Sequence, residues 1–372
     1  MANNTEYFAS LYETIKERSV EATLGVLRIK SDILRRHLRK ELITNAPLIA
    51  DPVFEPTFPW KESSKTFSDI SGSLLRPSLV KAIDTPQKVR DGDRTIDLKG
   101  QVLKREWHPY THQIKSWTAL QEEKPKSIIV TSGTGSGKTE CFMVPILNDL
   151  IQQYETSKSK LVGVQALFIY PLNALINSQR ERLLAWTNPY KGDIRFCLYN
   201  GNLPRNQKAA LRGQRPKNEV HDRERLWESP PPLLITNPTM LEYMLLRDID
   251  QPILKKSREN LKYIVLDEAH TYIGSQAAEL ALLIRRTLQG FGVTSKDVRF
   301  IATSATIGAD EEAEQRLKQY LSDIAGIPVS RIEVIPGERN IPNLPAFEEE
   351  SKLSLQELNK LDKEQLTQEL LK

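Results

Sequence analysis

The residues whose types and spacing best suit chemistry run from Ile128 to Glu140, Ile-Ile-Val-Thr-Ser-Gly-Thr-Gly-Ser-Gly-Lys-Thr-Glu. A β-branched run gives way to Gly133, Thr134, Gly135, Ser136 and Gly137, and the loop closes on Lys138, Thr139 and Glu140. Glycines let successive backbone N–H groups converge on one phosphate, and a helix beginning at the lysine adds partial positive charge. A lysine at this position reaches the β- and γ-phosphates of a nucleoside triphosphate, and the threonine hydroxyl ligates Mg²⁺. Ser132 occupies the slot where the strict G-x-x-x-x-G-K-T pattern has its first glycine, and it is small enough for the turn. A plain Gly/Ser surface loop would need neither the apolar strand before it nor Lys-Thr after it.

A second constellation is Ile264-Val265-Leu266-Asp267-Glu268-Ala269-His270. Neighbouring carboxylates are usually just solvated. After an apolar strand and downstream of a phosphate loop, they acquire roles: Asp267 holds Mg²⁺, and Glu268 orients and deprotonates the attacking water. The expected catalytic set is therefore Lys138, Asp267 and Glu268.

These residues need a scaffold. Apolar runs at 127–130, 166–170, 194–199, 233–236, 263–266 and 299–302 read as strands. Helical patterns at 174–186, 277–288 and 309–321 lie between several of them. Strands alternating with helices imply a parallel, doubly wound α/β sheet, and near-continuous apolar strands imply that both faces are covered. Ligands bind beyond the carboxyl ends of such strands. There the sequence places the phosphate loop, Pro171-Leu172-Asn173, Asn200-Gly201, Asn237-Pro238, Asp267-Glu268 and Ser304-Ala305-Thr306.

The flanks are less telling. Residues 4–43 carry helical periodicity, with a basic side at Arg28, Lys30, Arg35, Arg36, Arg39 and Lys40 that reads as a solvated face or a phosphate-facing one. From Asn45 to about Asp97, prolines and aromatics suggest an extended segment lying across another surface. A polar insertion between Pro204 and Pro232 mixes Arg205, Lys208, Arg212, Arg215, Lys217, Arg223 and Arg225 with Glu219, Asp222, Glu224 and Glu228. After Ile335 come turn residues, an acidic run and a leucine-rich helical pattern still open at Lys372, as in a fragment. The expected divisions are a helical N-terminal region at 1–100, a nucleotide-binding lobe at 101–335, and a linker leading into a further helix at 336–372.

With 372 residues, 39% of them hydrophobic, the chain can bury a sizeable core. A net charge of +4 is too small to establish nucleic-acid binding alone. Two cysteines, Cys141 and Cys197, exclude a disulfide framework, and with no signal-peptide pattern the expectation is a cytoplasmic protein without a membrane span.

Asp267-Glu268-Ala269-His270 spells DEAH, and with Ser304-Ala305-Thr306 and Pro109-Tyr110-Thr111-His112-Gln113 the chain resembles the first RecA-like lobe of superfamily 2 DEAH-box helicases. The resemblance implies ATP and Mg²⁺ as cofactors. It also implies Gln113 as the adenine reader with Tyr110 beside the base, and His270, Ser304 and Thr306 as residues coupling nucleotide state to a second lobe. Pro171, Asn173, Gln179, Gly201, Thr236 and Asn237 match segments that in relatives hold the sugar-phosphate backbone of one strand. Pro-Tyr-Thr-His-Gln, Gly-Ser-Gly-Lys-Thr-Glu and Asp-Glu-Ala-His-Thr-Tyr are most similar to large bacterial helicases of the MrfA type, including those of the Druantia and DISARM phage-defence systems. That likeness favours DNA over RNA without deciding between them, and makes protein partners in a defence complex one expectation. The second lobe's late Gly-Arg motif has no counterpart after Gly308, so the lobe by itself is expected to hydrolyse ATP poorly. The competing expectation is a nucleotide-dependent switch or partner-binding module that unwinds nothing.

Overall fold

The computed structural model describes residues 4–50, 57–122, 126–206, 214–305 and 311–342. The chain forms two units: residues 1–59 with 341–372, and the compact unit Trp60–Asn340. In the first, helices Asn4–Val26 and Asp32–Thr44 pair with each other. Ser31 caps the second by accepting from Leu34 N. Part of the basic face is used internally, because Glu21 pairs with Arg35 at 3.1 Å and Arg39 at 2.9 Å. These pairs are exposed and add at most about 1 kcal/mol each. The leucine pattern near the C-terminus lies outside the described residues, as do Phe54, Lys208, Arg212 and Thr306.

The larger unit is built on seven parallel strands. Strands β1 (Lys88–Asp91) and β2 (Arg94–Asp97) form a separate antiparallel hairpin. The main sheet holds β3 (Ser127–Thr131), β4 (Ala166–Ile169), β5 (Phe196–Tyr199), β6 (Leu233–Thr236), β7 (Tyr263–Leu266), β8 (Arg299–Ser304) and β9 (Ile332–Pro336), in the order β5-β6-β4-β7-β8-β3-β9. Every residue of β3 through β7 is buried, because helices cover both faces. Successive side chains of a strand point to opposite faces. Accordingly Ala166 and Phe168 join one apolar cluster with Phe142, Leu147 and Leu183, whereas Leu167 and Ile169 join the other with Met244, Leu283 and Leu321. The α/β, doubly wound architecture expected from the sequence is the observed one.

Three details differ from the sequence reading. The stretch read as extended up to Asp97 contains helix Pro77–Asp84, which buries Leu79, Val80, Ala82 and Ile83, and then the β1–β2 hairpin turned at Gly92 (φ 66°). Proline at the first helical turn starts a helix rather than preventing one. The helix expected at 174–186 is two, Asn173–Ser178 and Arg180–Thr187, meeting at Gln179. Strand β9 was not anticipated; among the described residues it sits at the sheet edge and pairs only with β3.

Candidate nucleotide-binding site

The turn after β3 is shaped by its glycines. Gly135 (φ 72°) and Gly137 (φ 71°) both take the left-handed conformation, and helix Lys138–Ser157 begins directly after. A Cβ at 137 would run into Gln113 Nε2 as well as straining the left-handed backbone, so glycine suits this close approach. Gln113 is buried, and its amide joins two segments: Oε1 accepts from Tyr110 N at 2.9 Å, and Nε2 donates to Gly137 O at 3.2 Å. His112 makes a second tie, Nε2 to Ser136 O at 2.8 Å, between the stacked Tyr110 ring and the edge of Trp60. That bond places the proton on Nε2. Burial lowers the His112 pKa, and Nδ1 has no hydrogen-bond partner among the described residues.

Lys138 Nζ spans the loop, donating to Ser132 O at 3.0 Å and lying 3.8 Å from Glu268 Oε1. Parallel register explains how the carboxylates arrive. Leu266 pairs with Ala302, so Asp267 and Thr303 emerge side by side at the carboxyl ends of β7 and β8. Thr303 Oγ1 donates to Asp267 Oδ1 and accepts from Glu268 N at 3.0 Å. This holds Glu268 in a left-handed turn (φ 50°) with its carboxylate 3.4 Å from His270 Nδ1. Burial pushes the Asp267 carboxyl above its ordinary range, against the hydrogen bond from Thr303. Ser304 O accepts from Ser132 N at 3.2 Å, tying the Ser-Ala-Thr segment to the phosphate loop.

One cavity of about 810 Å³ takes in Tyr110, Gln113, residues 134–140 and Glu268. Phe67, Leu103, Trp107 and Arg182 also line it. Sequence reasoning passed over these four. Phe67 and Leu103 come from a stretch that carried no chemical motif. Arg182 is held by Glu140 Oε1 (3.1 Å) and Gln179 Oε1 (3.0 Å), so Glu140, nearly buried, serves to fix a guanidinium at the wall.

Of the residues matched to a nucleic-acid track, Asn237 Nδ2 donates to Asn173 Oδ1 at 2.7 Å, which joins the loops after β4 and β6. Gly201 and Asn173 are exposed, and Pro171 is half-buried. Thr236 is buried, with its hydroxyl donating to Tyr199 O at 2.7 Å, and Gln179 is buried against Ser178 and Arg182. Several basic residues of the insertion are occupied within the lobe: Arg215 with Asp91, and Arg223 with Leu203 O and the Tyr199 ring. Among the described residues no helix is long and apolar enough to cross a membrane.

A parallel sheet with a glycine-rich loop, its lysine and two strand-end carboxylates around one cavity defines a RecA-like P-loop lobe. The chain belongs to the DEAD/DEAH box helicase family, whose profile matches residues 110–314. It is similar to the Druantia protein DruE of Escherichia coli (strain UMEA 4076-1), with 27% identity over 81% of this chain and 20% of DruE. It is also similar to the uncharacterized ATP-dependent helicase YprA of Bacillus subtilis (strain 168), with 31% identity over 82% of this chain and 37% of YprA. Among solved structures, the DEAD-box helicase Mss116 bound to ssRNA and UDP-BeF shares the fold at TM-score 0.52 and 16% identity, over 74% of this chain and 46% of that one. The DUF1998 helicase MrfA bound to DNA and AMPPNP matches at TM-score 0.49 and 26% identity, over 80% of this chain and 33% of that one. The chain thus spans between a fifth and two-fifths of the length of these curated relatives.

Proposed function

We propose that this chain is the first motor lobe of a nucleic-acid-stimulated ATPase that translocates on or unwinds its substrate, with DNA as the favoured substrate. The observation that carries the reading is the convergence of Gln113, the loop at 133–139 and Glu268 on one cavity, with Asp267 held beside Glu268. The residues fit ATP and Mg²⁺. The loop's left-handed glycines and Lys138 suit a triphosphate. Asp267 is a buried carboxylate with Lys138 nearby but no close ion pair among the described residues, and a divalent ion would complete its charge balance.

In this reading Lys138 neutralises the β- and γ-phosphates, Thr139 and Asp267 hold Mg²⁺, and Glu268 takes the proton of the attacking water. Gln113 and Tyr110 lie at the adenine end. His270, Ser304 and Thr306 report nucleotide state to a second lobe. Asn173, Gly201 and Asn237, with Pro171, lie along the backbone of one strand, and Thr236 and Gln179 support those loops from beneath. Bound Mg²⁺ would supply charge neutralisation of the phosphates. A cationic group from a second lobe contributes roughly 10³–10⁵ in turnover, so this chain alone hydrolyses slowly. DNA is favoured from the likeness of the motif words to MrfA-type helicases. A place in phage defence, with protein partners, rests on the distant likeness to DruE.

The test is ATP turnover by the full-length protein with single-stranded DNA, duplex DNA and RNA, beside Glu268→Gln. Stimulation by DNA, and its loss by at least about 100-fold in the variant, is expected. Turnover that no nucleic acid stimulates, with the variant matching wild type, would overturn the motor reading.

A further inference from the structure

At the amino-terminal edge of the sheet, opposite the loops that hold the nucleotide cavity, Arg195 stands just before β5. It is 6% exposed. Nη2 donates to Ser229 Oγ at 2.8 Å, whereas Nε has no hydrogen-bond partner, and no carboxylate pairs with the guanidinium among the described residues. Burial lowers its pKa to about 10, so it stays charged at neutral pH. A buried cation without a counter-charge is costly, and a bound anion removes that cost.

Arg195 opens into a cavity of about 430 Å³ that shares no lining residue with the nucleotide cavity. Lys160, Lys191, Lys217 and Arg225 surround it. Three carboxylates also line it: Asp193, Glu219 and Glu228. Glu219 is already taken by Arg180, whose Nε lies 2.9 Å from both of its oxygens. The Arg225 guanidinium lies 3.9 Å from Asp222, a loose contact. Five cations therefore face two acids, Asp193 and Glu228, that belong to no ion pair among the described residues. The rim is built rather than incidental. Lys191 (φ 52°) and Gly192 (φ 96°) form a left-handed turn, and a Cβ at 192 would meet Lys217 O at 2.9 Å. That close approach sets Lys191 and Lys217 on the same rim.

We propose that this cavity binds the phosphate groups of a compact phosphorylated ligand, at a site separate from the ATP cavity. A guanidinium fork at the floor and ammonium groups at the rim suit a phosphate group. The volume admits one or two phosphates rather than a length of polynucleotide. The site does not depend on the ATPase reading.

The test uses the whole 372-residue chain carrying Lys138→Ala, which disables the phosphate loop, titrated calorimetrically with pyrophosphate in the absence of Mg²⁺. Saturable one-to-one binding is expected. Adding Lys160→Ser and Lys217→Ser, both at exposed positions, weakens it at least about tenfold while the melting temperature is unchanged. No saturable binding, or an affinity unaltered by the two rim substitutions, overturns the proposal. So does an outcome in which a single-stranded oligonucleotide or a glutamate-rich peptide binds through the same lysines and pyrophosphate does not.

Discussion

Thr303→Val removes one hydroxyl and leaves a side chain of nearly the same shape. That hydroxyl serves both carboxylates of the DEAH word, donating to Asp267 and accepting from Glu268 N. Thr303 is fully buried, so water cannot replace the lost bonds. A hydrogen bond to a charged group contributes roughly 1.5–3 kcal/mol and a neutral one about 1 kcal/mol, and burying a methyl in place of a hydroxyl returns part of this. The expected net loss is about 2 kcal/mol, and about 2–4 °C of melting temperature accompanies each kcal/mol in a lobe of this size. The functional loss should be larger. Glu268 is held at φ 50° by this bond among few others, and without it the water-activating carboxylate is no longer fixed. Turnover by the full-length protein should fall at least about tenfold. Affinity for a fluorescent ATP analogue without Mg²⁺ should change little, because Thr303 does not line the cavity. A variant with wild-type melting temperature and wild-type turnover would refute the assignment of Thr303 as the residue that orients the pair.

Gly137→Ala should abolish nucleotide binding while the circular dichroism spectrum stays native: the left-handed backbone costs about 1–2 kcal/mol, and the new Cβ strikes Gln113. Arg180→Ala strips Asp91 and Glu219 of their shared partner, and chemical denaturation should show a loss of about 3 kcal/mol, with Arg180→Lys recovering only part. His112 and His221 both have pKa values lowered from 6.5, chiefly by burial. Below that value the unfolded chain binds protons that the folded chain refuses. Their contribution is complete above pH 6.5 and is lost as pH falls below it. Melting curves between pH 7.5 and 5.5 should show the decline, with a shallower slope in His221→Asn.

The sheet was legible because its strands are short, apolar and separated by helices, a pattern set by burial on both faces. The loop at 133–139 and Asp267-Glu268 were legible because glycine, lysine and paired acids at those spacings have few other uses. Thr303 was hidden by register. Nothing in the sequence says that residue 303 lies beside residue 267 until β7 and β8 are paired. Arg182 was hidden for a related reason, since its place depends on the break between two helices at Gln179. Strand β9, Ile-Glu-Val-Ile-Pro, lacks the wholly apolar character of the central strands because an edge strand has one neighbour and can keep Glu333 half-exposed. The hairpin at 88–97 did leave a signal, Gly92-Asp93, a two-residue turn dipeptide between strand-like runs.

The compact lobe begins at Trp60 and ends at Asn340, and its two ends are stitched together. Lys61 N donates to Glu338 O at 2.9 Å, and Arg339 lies 3.3 Å above the Trp60 ring. Gly337 N donates to Thr131 O at 2.7 Å, and a Cβ at 337 would collide with Ser132 at 2.7 Å. The same Trp60 ring lies 3.5 Å from where a Cβ on Gly133 would stand. Mechanically, the point where the chain arrives and the point where it departs are one anchorage, set against the root of the phosphate loop. Both ends of the lobe therefore meet the sheet at the carboxyl end of β3, where the phosphate loop begins. A module whose ends coincide can also be spliced into a host chain, or lengthened on both sides, without prising its core apart.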